Sequence, residues 1–115
     1  MFKQVEYVGF ENHPELRAMA ERATPILADE IRTFRDEVAV EWECHFEEPS
    51  AIELTLTLQL PIGSATTSRY LDQTDFQDDE EFRSCCRKVW WNLLDQIVDQ
   101  RRVIWDEIIH QTVEV

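Results

Sequence analysis

Glycine and proline are scarce in this chain, with two and four residues among 115, and no run of about 18 apolar residues occurs. Two glycines cannot build a glycine-rich phosphate-binding loop, and the missing apolar run excludes a membrane-spanning helix. The N-terminus lacks the apolar core of a secretory leader, and no internal repeat is recognisable. We therefore expect one cytoplasmic domain over residues 1–115 that has no membrane partner.

Cysteine and histidine are also few, with three residues of each. At least one of Cys44, Cys85 and Cys86 must stay unpaired within the chain, so reduced, buried thiols are expected. Cys44 and His45 are neighbours in a predicted strand, so their side chains point to opposite faces and cannot chelate one ion together. Without metal-ligand or nucleophile motifs, we expect no metal site, no cofactor, no small-molecule substrate and no enzyme activity.

Basic residues are outnumbered, with 11 against 24 acids and a formal net charge of −13. Because 43% of the residues are hydrophobic, this acidity does not indicate disorder. A field of this sign repels phosphate backbones and anionic lipid, so any nucleic-acid role must depend on a local basic patch.

Two runs of alternating apolar and polar residues follow one another from Val38. Their apolar positions are Val38, Val40, Trp42, Cys44 and Phe46, then Ile52, Leu54, Leu56, Leu58, Leu60 and Ile62. Joined by the turn at 48–50, the runs predict an antiparallel hairpin with one buried and one wet face. Segments 2–10 and 64–71 are predicted as further strands, the second of them at an edge.

A helix is predicted between the first strand and the hairpin. Its apolar stripe consists of Leu16, Met19, Ala20, Ala23, Leu27, Ile31 and Phe34. Asn12 is the predicted N-cap, with Glu15 as its capping-box partner and Pro14 in the first turn. Pro25 cannot donate to the carbonyl of Glu21, so a kink or a break is expected there.

A second helix is predicted from about Glu80 towards His110, with Asp78 and Glu81 as a capping box. Its main stripe consists of Phe82, Cys85 or Cys86, Val89, Leu93, Ile97, Ile104 and Ile108. A second apolar line is formed by Trp91, Leu94, Val98, Trp105 and Ile109. Either the first helix covers this line, or the line binds a partner helix or a second copy of the chain.

These elements predict an α+β fold in the order β-α-β-β-(β)-α, with a three- or four-stranded antiparallel sheet and two helices on one face. The outward side of the hairpin carries an acidic row, namely Glu41, Glu43, Glu47 and Glu53. This row either solvates the sheet or binds a cation or a basic peptide. Bases cluster in the last helix, at Arg83, Arg87, Lys88, Arg101 and Arg102. With Asp95 and Asp99 among them, they are either a phosphate-contacting patch or charge balance on a solvent face.

The order of elements resembles the small domain of bacterial ribosome hibernation-promoting factors and the related ribosome-associated inhibitor. The segment 58-LQLPIGS-64 is similar to the family's strand that ends in Leu-Pro-x-Gly-Thr. The segment 79-DEEFRSCCRKVWWNLLDQI-97 begins, as the family's last helix does, with acids and an aromatic residue. The resemblance covers about residues 1–98 and leaves 99–115 as an extension of the last helix. This sequence departs from the family at Trp91, where the family has a lysine, and at Asp95 and Asp99, where the family's helix end is basic.

The resemblance implies binding to the small ribosomal subunit and inhibition of translation, through basic residues on the two helices. The candidate residues here are Arg83, Arg87, Lys88, Arg17 and Arg22, of which Arg87 falls where the family commonly has a lysine. The rival interpretation is an acidic protein-interaction module of a chaperone-like, immunity-like or nucleic-acid-mimicking kind, which would use the Trp91 to Ile109 line. An exposed basic patch shared by both helices would favour the ribosome, and acids around these bases would favour the rival.

Overall fold

A computed structural model describes residues 1–45, 51–61 and 63–113, with side chains as far as Gln100. Four strands and three helices follow one another along the chain. They are β1 (Gln4–Val8), α1 (Pro14–Glu30), β2 (Val38–His45), β3 (Ala51–Leu60), β4 (Gly63–Leu71), α2 (Gln73–Gln77) and α3 (Asp79–Val113). This is the predicted α+β class, with 64–71 confirmed as a strand. None of the helices described is both long and apolar enough to cross a bilayer.

The four strands form one sheet in the order β1-β2-β3-β4. β2 pairs antiparallel with β3, and β3 pairs antiparallel with β4, as the alternating runs predict. β1, however, pairs parallel with β2, so the sheet is mixed rather than wholly antiparallel. The reason is the crossover through α1, which returns the chain to the end of the sheet at which β1 began. Gly9 ends β1 at φ 81°, a conformation that glycine adopts without strain.

One face of the sheet is buried and the other is partly exposed. The buried face carries Val38, Val40, Trp42, Cys44, Ile52, Leu54, Leu56 and Leu58, all at alternating positions of β2 and β3. Trp42 lies opposite Leu54 and Cys44 opposite Ile52, so the predicted period and facing are confirmed. Phe46, Glu47 and Ile62, which the prediction also assigned to the hairpin, lie outside the described residues.

α1 begins at Pro14, after His13, and not after Asn12. The prediction of Asn12 as N-cap is therefore wrong, because proline restricts the residue before it to extended geometry and favours the first helical position for itself. The helix continues through Pro25 without a break and ends at Glu30. Phe34, predicted in its buried stripe, lies beyond the helix at φ 62° and is 47% exposed.

A short helix, α2, precedes α3 and was not predicted. Its capping box is formed by Asp72 and Asp75, whose carboxylates accept hydrogen bonds from each other's backbone N–H groups. The Asp78 carboxylate accepts a hydrogen bond from the backbone N–H of Glu80 at 2.9 Å, at the start of α3. α3 is continuous over 35 residues, which corresponds to about 52 Å of helix.

Both long helices lie against the buried face of the sheet. α1 contributes Ala20, Ala23 and Leu27, and α3 contributes Phe82, Cys85, Cys86, Val89, Trp90, Leu93 and Ile97. The five predicted stripe positions from Phe82 to Ile97 are thus confirmed, and both Cys85 and Cys86 are buried. All three cysteines are free and buried, as expected. Ile104 and Ile108 belong to the part of α3 whose side chains are outside the described residues.

Candidate functional site

Arg83, the first of the predicted RNA-binding residues, is held by two carboxylates of α1. Its Nη1 lies 2.9 Å from Asp29 Oδ2 and 2.9 Å from Glu30 Oε1. Arg87 is one turn further along α3, and its Nε lies 3.8 Å from Glu30 Oε2. Arg32 adds a contact of 3.4 Å to Asp29. This group connects the end of α1 with the beginning of α3.

The pairing changes the ionisation of its members. Hydrogen bonding to Arg83, followed by the charge of Arg32, lowers the pKa of Asp29 below its ordinary value. The hydrogen bonds that Arg83 donates to Glu30 and Asp29 raise the pKa of Arg83 further above its already high value. Acids therefore surround the Arg83 guanidinium, which is the arrangement that disfavours a phosphate-binding patch at this position.

The other predicted bases do not join this group. Arg17 Nε lies 3.0 Å from Glu21 Oε1, and its guanidinium lies over the Tyr7 ring at 5.4 Å from the centroid. Arg17 precedes Asp29 by twelve helical residues, which is about 18 Å along α1. Arg22 donates to the carbonyl of Ala18 at 3.4 Å and lines a groove of about 500 Å³ between the helices.

Lys88 is exposed on α3. Arg101 and Arg102 lie in the part of α3 whose side chains are outside the described residues. The bases named for RNA binding are thus distributed over α1 and α3, and three of the five, Arg17, Arg83 and Arg87, contact carboxylates of α1.

The second apolar line of α3 is open to solvent where its side chains are described. Trp91 is 63% exposed and Val98 is 52% exposed, and Leu94 between them packs partly against the core. α1 does not cover Trp91 and Val98, so the explanation that the first helix buries this line does not apply to these two residues. Trp105 and Ile109 lie outside the described side chains.

Trp90 was assigned to neither line of α3, yet it is only 8% exposed and belongs to the core. The available signal was its spacing of seven residues from Ile97, which is in the buried stripe. Adjacent tryptophans of one helix therefore have different roles, with Trp90 in the core and Trp91 on the surface.

The uncovered face of the sheet is acidic. Glu6 and Glu41 are register neighbours on β1 and β2, and Glu43 and Glu53 are register neighbours on β2 and β3. Within the described strands, no lysine or arginine lies on this face. His45 lies on it, opposite to the face that buries Cys44, which confirms their predicted separation.

Comparisons of the chain with protein-family models, with curated proteins and with solved structures gave no match. The resemblance to hibernation-promoting factors stays a prediction based on the order of elements and two short segments. The function must therefore be inferred from the residues and their arrangement.

Proposed function

We propose that this protein is a non-catalytic binding domain whose exposed α3 line docks an amphipathic helix of a basic protein partner. The observation that carries this proposal is the pair Trp91 and Val98, which are 63% and 52% exposed at heptad spacing. Covering the exposed part of a tryptophan of this size is worth about 3 kcal/mol. Tryptophans in such positions are typical anchors of protein interfaces.

The spacing of the line favours a helical occupant. Trp91, Leu94 and Val98 are separated by three and four residues, the repeat with which one helix packs along another. Leu94 packs partly against the core, and the exposed side chains of Trp91 and Val98 lie on either side of it. α3 is one continuous helix, and a site on a preformed helix needs little ordering when the partner binds.

The charge of the chain favours a basic occupant. A net charge of −13 attracts cationic chains and slows the approach of anionic ones. Asp95 and Asp99 are exposed beside the apolar line, and Asp95 lies one turn from both Trp91 and Val98. Arg87 and Lys88 are exposed one turn before Trp91, so the preference for a basic occupant comes from the charge of the whole chain and from these two acids. A second copy of the chain would bring a second net charge of −13 to the interface, and the two copies would repel each other. Self-association is therefore the less favourable use of this surface.

The proposal can be tested with a fluorescein-labelled lysine/leucine peptide of about three heptads, compared with a glutamate/leucine peptide of the same pattern. Fluorescence anisotropy with the full chain, at about 0.05 and 0.3 M salt, separates charge from apolar contact. We expect the basic peptide alone to bind. Trp91→Ala should weaken its binding about thirtyfold at the higher salt, which corresponds to about 2 kcal/mol.

Tyr70→Ala is the matched control, because Tyr70 is 62% exposed on another face and the substitution leaves the net charge unchanged. The affinity of the Tyr70→Ala variant for the basic peptide should stay within about twofold of the wild-type affinity. Equal loss in Trp91→Ala and Tyr70→Ala, or no loss in either, would show attraction by charge alone and would refute the α3 surface. A dimer in sedimentation equilibrium that Trp91→Ala dissociates would assign the surface to a second copy instead.

Binding to the small ribosomal subunit is the second candidate. Apart from a 3-10 turn at Arg35–Glu37 and the short α2, the observed order β-α-β-β-β-α is the order on which the resemblance is based. Against it stands the pairing of Arg83 with Asp29 and Glu30, which leaves Arg87 and Lys88 as the more available bases on that helix. Co-sedimentation with 30S particles at low salt tests it directly. Recovery of the chain with the particles, abolished by Arg87→Gln with Lys88→Gln, would replace the basic-partner proposal.

A further inference from the structure

Three potential metal ligands lie together on the uncovered face of the sheet, away from the α3 line. His45 Nε2 lies 3.3 Å from Glu53 Oε1 and 3.7 Å from Glu43 Oε2. One ligand atom from each side chain lies within 4.8 Å of the other two. In the described chain, no other group of three histidine, cysteine or acidic residues comes this close.

The strand register builds this cluster. Glu43 on β2 and Glu53 on β3 are paired directly across the hairpin, and His45 follows Glu43 by two residues on the same face. Side chains at such positions are held by two hydrogen-bonded strands rather than by a loop. The Glu53 side chain is only 18% exposed, so its carboxylate has little freedom to turn away.

Tyr70 on β4 supports the cluster from the neighbouring strand. It is the register partner of Glu53, and its ring lies 5.4 Å from the His45 ring. The charge of Glu53, with the hydrogen bond between the two side chains, raises the pKa of Tyr70. Tyr70 thus lies beside both Glu53 and His45, at a position from which a neighbouring side chain can orient metal-binding residues.

We propose that Glu43, His45 and Glu53 bind a first-row divalent cation of the Zn²⁺ type, with a fourth position open to water. Two carboxylates placed directly across a strand pair repel each other, and a cation between them removes this repulsion. The imidazole distinguishes the cluster from an ordinary acidic surface, because it adds a nitrogen ligand that first-row metals prefer.

The distances suit this class of ion. Zn²⁺ binds imidazole nitrogen and carboxylate oxygen at about 2.0–2.2 Å, so tetrahedral ligand atoms lie about 3.3–3.5 Å apart. The His45 to Glu53 distance of 3.3 Å falls in that range, and the His45 to Glu43 distance of 3.7 Å needs only a small rotation. Mg²⁺ and Ca²⁺ prefer oxygen ligands, so the imidazole nitrogen of His45 favours a first-row transition ion over them.

The test is a titration of the full, reduced chain with Zn²⁺ by calorimetry and with Co²⁺ by absorption spectroscopy. We expect one ion per chain, and a Co²⁺ spectrum without the intense near-ultraviolet band of thiolate ligation. His45→Gln, Glu43→Gln and Glu53→Gln should each weaken Zn²⁺ binding at least tenfold. Glu41→Gln removes the same charge from the same face, and it should change the Zn²⁺ affinity less than about twofold. His13→Gln should also change the Zn²⁺ affinity less than about twofold.

Several results would overturn the assignment. Equal losses in Glu41→Gln and Glu43→Gln would mean diffuse attraction by the acidic face. A thiolate band would place the ion at a cysteine, and equal affinity for Mg²⁺ would mean Coulombic attraction without a chelate. Far-ultraviolet circular dichroism identifies a variant that has lost its fold, and Glu43→Gln, at a 40% exposed side chain, still tests the site if His45→Gln is misfolded.

Discussion

The hydroxyl of Thr24 joins α1 to two strands of the sheet, and its removal should destabilise the domain well beyond the loss of a surface group. Thr24 Oγ1 donates to the carbonyl of Ala20 at 2.8 Å and accepts from Trp42 Nε1 at 3.1 Å. The Tyr7 hydroxyl lies 3.0 Å from the same oxygen. Because the only proton of Thr24 is directed to Ala20, Tyr7 acts as the donor, and the hydroxyl uses all its hydrogen-bonding capacity.

Thr24→Val keeps the shape and β-branching of the side chain but removes this hydroxyl. The Trp42 indole N–H then stays buried without a partner, since Trp42 is 0% exposed, and such a donor costs about 1–3 kcal/mol. The half-buried Tyr7 hydroxyl can hydrogen-bond to water instead, so its lost bond to Thr24 should contribute only about 0.5–1 kcal/mol to the destabilisation. We expect a total loss of about 2–3 kcal/mol, or a fall of about 1–2 M in the urea midpoint.

The matched control is Thr66→Val, at an exposed threonine whose hydroxyl contacts Thr57 on the outer face of the sheet. Its effect should stay within about 0.5 kcal/mol. A double-mutant cycle of Thr24→Val with Trp42→Phe should show coupling, because both variants remove the same hydrogen bond. Equal effects of Thr24→Val and Thr66→Val, or additivity in the cycle, would refute the role assigned to this hydroxyl.

Two further predictions concern ionisation. Arg83 lowers the pKa of Asp29, so the stabilisation from this pair is complete above the unfolded pKa of about 3.9 and is lost as the pH falls through the lower folded pKa. Melting temperatures measured against pH should therefore depend less on acid in Arg83→Gln than in Arg22→Gln. Identical profiles for the two variants would contradict the pairing. Burial raises the pKa of Cys86 to about 12. Ellman's reagent at pH 8 should therefore react with less than one equivalent of thiol in the native chain and with all three cysteine thiols in denaturant. Rapid reaction of the native chain would contradict this burial.

The hairpin could be predicted from the sequence because alternation with a period of two defines both the faces and the pairing. Val40 to Cys44 and Ile52 to Leu58 alternate without interruption, so a slip of one residue would expose every apolar side chain in these runs. The main stripe of α3 was predictable for the same reason at helical spacing. In both cases, local periodicity and burial agree along the whole element.

Other features depend on contacts between distant segments, and local patterns do not contain them. Arg83 and Asp29 are 54 positions apart, so neither the ion pair nor its effect on the basic patch can be read from spacing. The same holds for the parallel pairing of β1, which depends on the path of α1. His45 and Glu53 could have been brought together only by first assuming the hairpin register.

The central claim is that the exposed line of α3 binds a basic helix, and its most direct test is the affinity of the labelled lysine/leucine peptide for wild type and Trp91→Ala at about 0.3 M salt. The account predicts saturable binding by wild type that Trp91→Ala weakens about thirtyfold, while Tyr70→Ala binds as wild type does. Binding that is equally strong in all three proteins, or absent from wild type at both salt concentrations, would contradict it.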